Sequence, residues 1–292
     1  MAILTGDSVW LGRARQPVKW IAVGFTAVVL GIWAIFAVRL ILGADGAIAM
    51  HEMIRPAGRP IVWVMLIAML GALIFASVWL SDFKGDIEPG RAGFFDIVSL
   101  VLSRTAMILI ALIVLVMFYE VVSRYIFARP TLWANELSLW IAAFVFLLSG
   151  QYAMQQRSHI RIYVIYDVMP RWMQKTADVI SVGLITGFFV ALVWGGYNDA
   201  LRRMLRMETF GTAWDPPIPG TVKPAILIII GLVTLQAISN LIADWNKAPE
   251  HHSADDIDEV EIENLRRALG TDEATETLHD AHVDGTRRQG QD

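Results

Sequence analysis

Glu120, Arg124 and Glu136 are the side chains of this chain best placed to do more than fill a helix. They stand in one stretch, FYEVVSRYIFARPTLWANELSLW, residues 118–140, between two apolar runs. A carboxylate and a guanidinium four apart on a helix face each other and can pair. Tyr119 and Tyr125 flank the pair, as aromatic anchors do at a membrane interface. Pro130 breaks the helix and pushes the residue before it to extended geometry. Trp133 opens the next helix, with Trp140 further in, and Glu136 falls in its first turn, where the helix dipole favours a negative charge. Arg124 and Glu136 thus reach similar depth on adjacent helices. Either they pair and close the hairpin, or each is an ordinary interface residue.

The chain offers little for bond-making chemistry. Its 6 histidines are His51, His159, His251, His252, His279 and His282, and none lies in the middle of an apolar run. That disfavours a haem held between membrane helices. There is no His-Glu-x-x-His metal motif. With 0 cysteines, disulfides and thiolate metal sites are excluded. Ser149-Gly150 has no histidine in reach by sequence, and helix packing is its simpler reading. The expectation is a protein that is not an enzyme and has no metal or cofactor.

These residues are positioned by membrane helices. The chain has 292 residues, 55% of them hydrophobic and 18% charged, against about 25% charged in soluble domains; its mean hydropathy is +0.51. The apolar residues gather into six runs, 18–42, 61–80, 97–118, 133–154, 177–200 and 222–244, each near the roughly 20 residues that cross a bilayer. Hydrocarbon offers no partner to an open backbone group, so each run must be helical. The fold class is an all-α integral membrane protein with about six transmembrane helices.

Three parts follow. Residues 1–95 hold two spans and a connector, SDFKGDIEPGRAG, punctuated by Gly85, Pro89, Gly90 and Gly93. Residues 96–245 hold four spans. Residues 246–292 are a polar tail rich in Asp and Glu, expected to be disordered and cytoplasmic, with a short amphipathic helix over 256–269 as the alternative. Ala47-Ile48-Ala49 resembles a cleavage site, but the first apolar run is longer than a signal core, which predicts a retained helix. Arg13, Arg15 and Lys19, with Arg157, Arg161, Arg171 and Lys175, place both termini in the cytoplasm by the positive-inside rule. Arg202, Arg203, Arg206 and Lys223 weigh against that orientation.

Ionisable residues sit near span ends, and no carboxylate lies at a span centre. There is no inverted repeat and no pair of Gly/Pro-broken spans, the usual marks of a substrate site at the bilayer midplane. This disfavours a self-sufficient carrier. Gly183 and Gly187 form a G-x-x-x-G in the fifth span, a spacing that lets another helix approach closely.

The run from Glu120 through Arg124, Tyr125, Phe127, Pro130 and Trp133 to Glu136 resembles the signature of the small membrane subunit of TRAP transporters (tripartite ATP-independent periplasmic transporters), the DctQ-like family. Gly150, Ala153 and the Arg-x-His-Ile-Arg-Ile segment from Arg157 through His159 to Ile162 continue the likeness, which ends near Pro170 within a core of about residues 96–245. The chain departs from the pattern at Tyr163, where the family often has an acid; Asp167 is a weak substitute. Ala213-Trp214-Asp215-Pro216-Pro217 is similar to the branch named for mannitol or chloroaromatic compounds. The resemblance implies a large permease subunit and a periplasmic substrate-binding protein as partners, with ion-gradient-driven uptake of an organic acid across the bacterial inner membrane. It implies interface or scaffold roles for Glu120, Arg124, Tyr125, Phe127, Pro130, Trp133, Glu136, Gly150, Arg157 and His159. The alternative is a membrane anchor or assembly subunit of an enzyme complex.

Overall fold

Long apolar runs fold as helices, and every regular element among the described residues of the computed structural model is one. The structure describes residues 8–42, 50–54, 59–83, 93–156 and 169–245. A 3-10 turn, Gly12–Ala14, leads into α1 (Arg15–Ile41); there follow α2 (Met50–Ile54), α3 (Pro60–Leu80), α4 (Phe94–Tyr125), α5 (Ala134–Gln155), α6 (Arg171–Leu205) and α7 (Ile218–Asp244). All but α2 are long and apolar enough to cross a membrane. The helices outrun the apolar runs because polar and aromatic residues continue them into the interface. α4 extends past Phe118 through Glu120 and Arg124, and the 35 residues of α6 measure about 52 Å at 1.5 Å per residue.

The chain divides into two compact units, Met1–Ile160 with Lys175–Asn246, and Arg161–Gln174 with Lys247–Asp292. In the second, the described part includes the first turn of α6, where Gln174 Nε2 donates to the Met169 carbonyl at 3.2 Å and Arg171 to Gln174 Oε1 at 3.3 Å. Residues 84–92 of the connector, the 157–168 segment and the tail from 246 lie outside the described residues.

In the first unit, α1 and α3 form an N-terminal hairpin. The Phe25 ring lies against Gly71, 3.0 Å from where a Cβ would stand, and stacks on Phe75 at 5.8 Å. Asp82, fully buried just past α3, fastens the start of the chain. Its Oδ1 accepts the backbone N–H of Val9, Trp10 and Leu11 at 3.0, 2.8 and 2.9 Å. Arg15 reaches its Oδ2 at 3.4 Å and stands over the Phe83 ring. Burial pushes the Asp82 carboxyl up, but the N–H groups of Leu11 and Trp10, the Ser8 hydroxyl and Val9 N–H together hold it below its ordinary value.

The hairpin joins the other four spans through polar contacts from α3 and its end to α4. Thr105 Oγ1 donates to Ser77 Oγ at 2.9 Å, and Arg104 to the Phe83 carbonyl at 3.3 Å. Ala106 of α4, Leu148 of α5 and Ile229 of α7 form the centre of the core, with Leu102, Leu109, Leu147, Leu232 and Val233 packed around them. Lipid is as apolar as leucine, so close packing and polar bonds, rather than apolar burial, hold such helices together.

α6 lies against α7 in antiparallel register. Gly196 meets Leu227, Phe189 covers Gly231, and Lys175 stands over the Trp245 ring at 4.8 Å. No part of the apolar window of α6 is buried.

Candidate functional site

Glu120 and Glu136 each hold a loop, and the two loops lie at one end of the core. Glu120 sits in the last turns of α4, where Tyr119 stacks on Trp133 across the turn with ring centroids at 5.6 Å. Its side chain is buried. One oxygen pairs with Arg124 on the next turn, with Arg124 Nε donating at 2.9 Å. The other accepts both the backbone N–H of Thr131, at 3.0 Å, and the Thr131 hydroxyl. The loop between is folded tightly. Ser123 Oγ donates to the Arg129 carbonyl at 2.6 Å, the Arg129 N–H donates to the Ser123 carbonyl at 2.9 Å, and Ala128 takes a positive φ of 53°. A non-glycine residue there is strained and persists only when its surroundings determine it.

Glu136, in the first turn of α5, holds the α6–α7 loop. Thr212 Oγ1 donates to it at 2.7 Å, and the N–H groups of Asp215 and Trp214 at 3.2 and 3.4 Å. Asp215, at φ 60°, accepts the Gly211 N–H at 2.8 Å. Trp140 Nε1 donates to Thr221 Oγ1 at 2.8 Å and ties α5 to the first turn of α7.

The sequence leaves two readings open for Arg124 and Glu136, and the two do not pair. Glu120 is one turn away on Arg124's own helix, and Glu136 is turned to the backbone of a loop distant in sequence. Tyr125, at 78% exposed, Phe127 and Pro130 project outward from the clamped loop. Trp133 is the N-cap residue of α5. Gly150 is exposed and has open space where a Cβ would be. Arg157 and His159 lie outside the described residues. Gly183 and Gly187 likewise face open space, so no helix described in this chain fills their groove.

Sequence reasoning missed the clamp between α6 and α7. Asp199 accepts Arg203 Nε at 2.9 and 3.1 Å and Lys223 Nζ at 2.5 Å, while Arg203 also pairs with Glu208. The i,i+4 spacing of Asp199 and Arg203 was the available signal. Gly220 was also missed. A Cβ there would stand 2.9 Å from Glu208 N and 3.1 Å from Met207 C, because the turn after α6 lies directly on it. Among the described residues no three His, Cys, Asp or Glu side chains are grouped to hold a metal ion.

This arrangement positions loops. Residues 113–247 match the family model described as Tripartite ATP-independent periplasmic transporters, DctQ component, a stretch that contains both clamps. That stretch of the chain is similar to the DctQ family. The chain is also similar to the C4-dicarboxylate TRAP transporter small permease protein DctQ of Vibrio cholerae serotype O1, at 26% identity over 84 residues. That likeness spans 29% of this chain and 36% of the relative. No solved structure matches. With six helices long and apolar enough to cross a membrane, the chain is a multi-pass membrane protein.

Proposed function

We propose that this chain is the small membrane subunit of a TRAP-type secondary transporter in a bacterial inner membrane. It braces a large permease subunit and helps dock a periplasmic substrate-binding protein, for ion-gradient-driven uptake of an organic acid. The observation that carries this reading is the coincidence of the DctQ match, residues 113–247, with two glutamate-clamped loops at one end of the core. Three aromatic or aliphatic side chains of the first loop, Tyr125, Ile126 and Phe127, stand exposed on a rigid frame, as a docking surface requires. With both termini cytoplasmic, six crossings place these loops on the periplasmic side.

The large subunit would pack on α6. Gly187 lies two and a half turns before Gly196, so it points away from α7. Gly183, Gly187 and Gly195 all have open space where a Cβ would stand. Trp194, 89% exposed, and Leu184 flank this outward side. Small residues at this spacing let a second transmembrane helix approach closely.

The test is affinity purification of the chain from native membranes in mild detergent, with mass spectrometry of what accompanies it. A large polytopic permease is the expected partner; a soluble redox or enzymatic subunit in its place would sink the transporter reading in favour of an enzyme's membrane anchor. Gly187→Leu should lower recovery of the permease about tenfold, the equivalent of ~1.4 kcal/mol of lost helix packing. Undiminished recovery would move the interface off α6. Because the chain has 0 cysteines, a single cysteine at Phe127 also reports topology. Labelling of intact spheroplasts by an impermeant maleimide is expected, and protection until lysis would reverse the orientation.

A further inference from the structure

Arg202 and Arg203 are neighbours in the last turns of α6, yet their charges are used differently. Arg203 pairs with Asp199 at 2.9 Å and with Glu208. Asp199 takes a second cation, Lys223 of α7, at 2.5 Å. Glu136 is engaged by Thr212 and the N–H groups of Trp214 and Asp215, and Glu120 by Arg124 and Thr131. Each of these carboxylates already serves donors of the chain. Arg202 and Arg206 are exposed, and no carboxylate among the described residues pairs with either.

The two guanidinium groups act from one place. The Arg206 N–H donates to the Arg202 carbonyl at 3.1 Å, so the helical turn continues through both. Residues four apart on a helix share a face, with Cβ atoms about 5–6 Å apart, and both side chains can reach a single anion. Arg202 spends its Nε on the Asn198 carbonyl at 3.2 Å, which leaves its two terminal amino groups. A guanidinium presents such groups as a planar fork that matches a phosphate.

The surroundings say which phosphate. Trp194 is 89% exposed and Tyr197 53% exposed, and such rings mark the boundary between hydrocarbon and headgroups. At 1.5 Å per residue, Arg202 stands about 7.5 Å beyond Tyr197, within the headgroup layer. Gly195, about two turns below Arg202 and so on its face, has open space where a Cβ would stand. No part of the apolar window of α6 is buried. An acyl chain can therefore lie along α6 directly beneath the two arginines. A zwitterionic headgroup would bring its own cation against them, and an anionic one would not.

We propose that Arg202 and Arg206 form a binding site for the phosphate of an anionic phospholipid seated along α6 beside the clamped loops. The site is built from the chain's own residues and stands apart from the transporter reading.

Because the chain has 0 cysteines, Leu205→Cys can carry a single fluorophore beside the two arginines, at a position that is 73% exposed. The purified full chain is placed in phosphatidylcholine vesicles holding equal small shares of spin-labelled phosphatidylglycerol or spin-labelled phosphatidylcholine. Phosphatidylglycerol is expected to quench the fluorophore as though enriched about fivefold, the preference that one cationic side chain gives at a membrane surface. Arg202→Gln combined with Arg206→Gln should remove the enrichment. Arg129→Gln, exposed at the same end, should leave it unchanged. Equal quenching by the two lipids when both arginines are present overturns the site. So does an enrichment that survives the double substitution, because the lipid would then follow the overall charge. Displacement of the lipid by inorganic phosphate would assign the pair to a soluble anion, and equal quenching with loss of a co-purified permease from the double variant would assign it to a protein carboxylate; either overturns the proposal. Should the double variant fail to fold, the two single variants are read in the same way, and an unchanged enrichment in both overturns the site.

Discussion

The two ends of the four-helix core are held by different kinds of bond. At the loop end, Glu120 and Glu136 accept from the backbone of loops, and the loops in turn expose large side chains. At the opposite end, Gln236 bonds to Asp96, Asn240 to the Met154 carbonyl and Ser99 to the Gln151 carbonyl, helix to helix, and Asp96, Ser99 and Gln236 are almost wholly buried. One end spends its charge on shaping a surface; the other spends it on closing an interior. Partner contact needs the first, and helix register needs the second. The difference makes the loop end the place where substitutions should alter assembly while the spans stay intact.

Gly220→Ala should break that contrast most severely. The added methyl would meet backbone atoms of Glu208 and Met207 that cannot swing aside. Overpacking of this kind costs typically ~1–3 kcal/mol, and a backbone clash belongs at the upper end. The turn after α6 would shift, and Asp199–Lys223 with it. The expected outcome is a lower melting midpoint together with weaker assembly. A variant as stable and as well assembled as the wild type would show that the loop end is not rigid.

Glu136→Ala comes next. It strips Thr212, Trp214 and Asp215 of their common acceptor. Hydrogen bonds to a charged group contribute about 1.5–3 kcal/mol when buried, and Glu136 is only half-buried, so about 1–2 kcal/mol is expected here. Complex yield and uptake should fall while the helical content is unchanged. Full uptake would mean the α6–α7 loop needs no clamp.

How far the sequence discloses each end follows from where the polar groups lie. All six spans can be read from apolar runs, because a bilayer leaves the backbone no alternative to the helix. Glu120, Arg124, Trp133 and Glu136 stand out because charge and aromatic residues at span ends mark an interface. Their partners do not stand out. Thr131 is eleven residues from Glu120, and the loop that Glu136 holds is more than seventy residues away. No local spacing encodes such approaches; the first arises when the α4–α5 loop folds back on α4, the second when α5 and α7 pack. Asp96, Ser99, Gln236 and Asn240 of the opposite end look like isolated polar residues at the ends of apolar runs, and only the fold pairs them across helices. Gly183 and Gly187 were visible as a stripe, but the openness of that stripe needed the arrangement of α6 against α7.

Asp82 extends the comparison to the N-terminal hairpin, which uses the loop end's device, a carboxylate accepting backbone N–H groups, outside the core. Its carboxyl is held below its ordinary value of 3.8. A depressed folded-state value contributes stability that is fully present above the unfolded value and is lost as pH falls through the folded one. Acidification below about pH 4 should therefore loosen the Ser8–Leu11 segment before the helices melt. Asp82→Asn should cost about 1 kcal/mol at neutral pH and abolish that acid step. Limited proteolysis near the N-terminus reads both, and an acid step that persists in the variant would assign it to another group.

Arg124→Ala should have the smallest effect of the substitutions at the loop end, although the conspicuous Glu120–Arg124 spacing suggests otherwise. Arg124 is half exposed, while the carboxylate it faces is buried and keeps both bonds from Thr131 without it. Exposed ion pairs contribute little, so uptake should fall by less than about twofold. Glu120→Ala removes the Thr131 bonds as well and should fall well below that. The ranking Glu120→Ala, then Glu136→Ala, then Arg124→Ala in lost uptake is what a loop clamp produces. An ion pair as the working unit would instead give Glu120→Ala and Arg124→Ala equal losses. Measuring the three side by side in uptake and complex yield separates a carboxylate that shapes a loop from a charge that seeks its opposite.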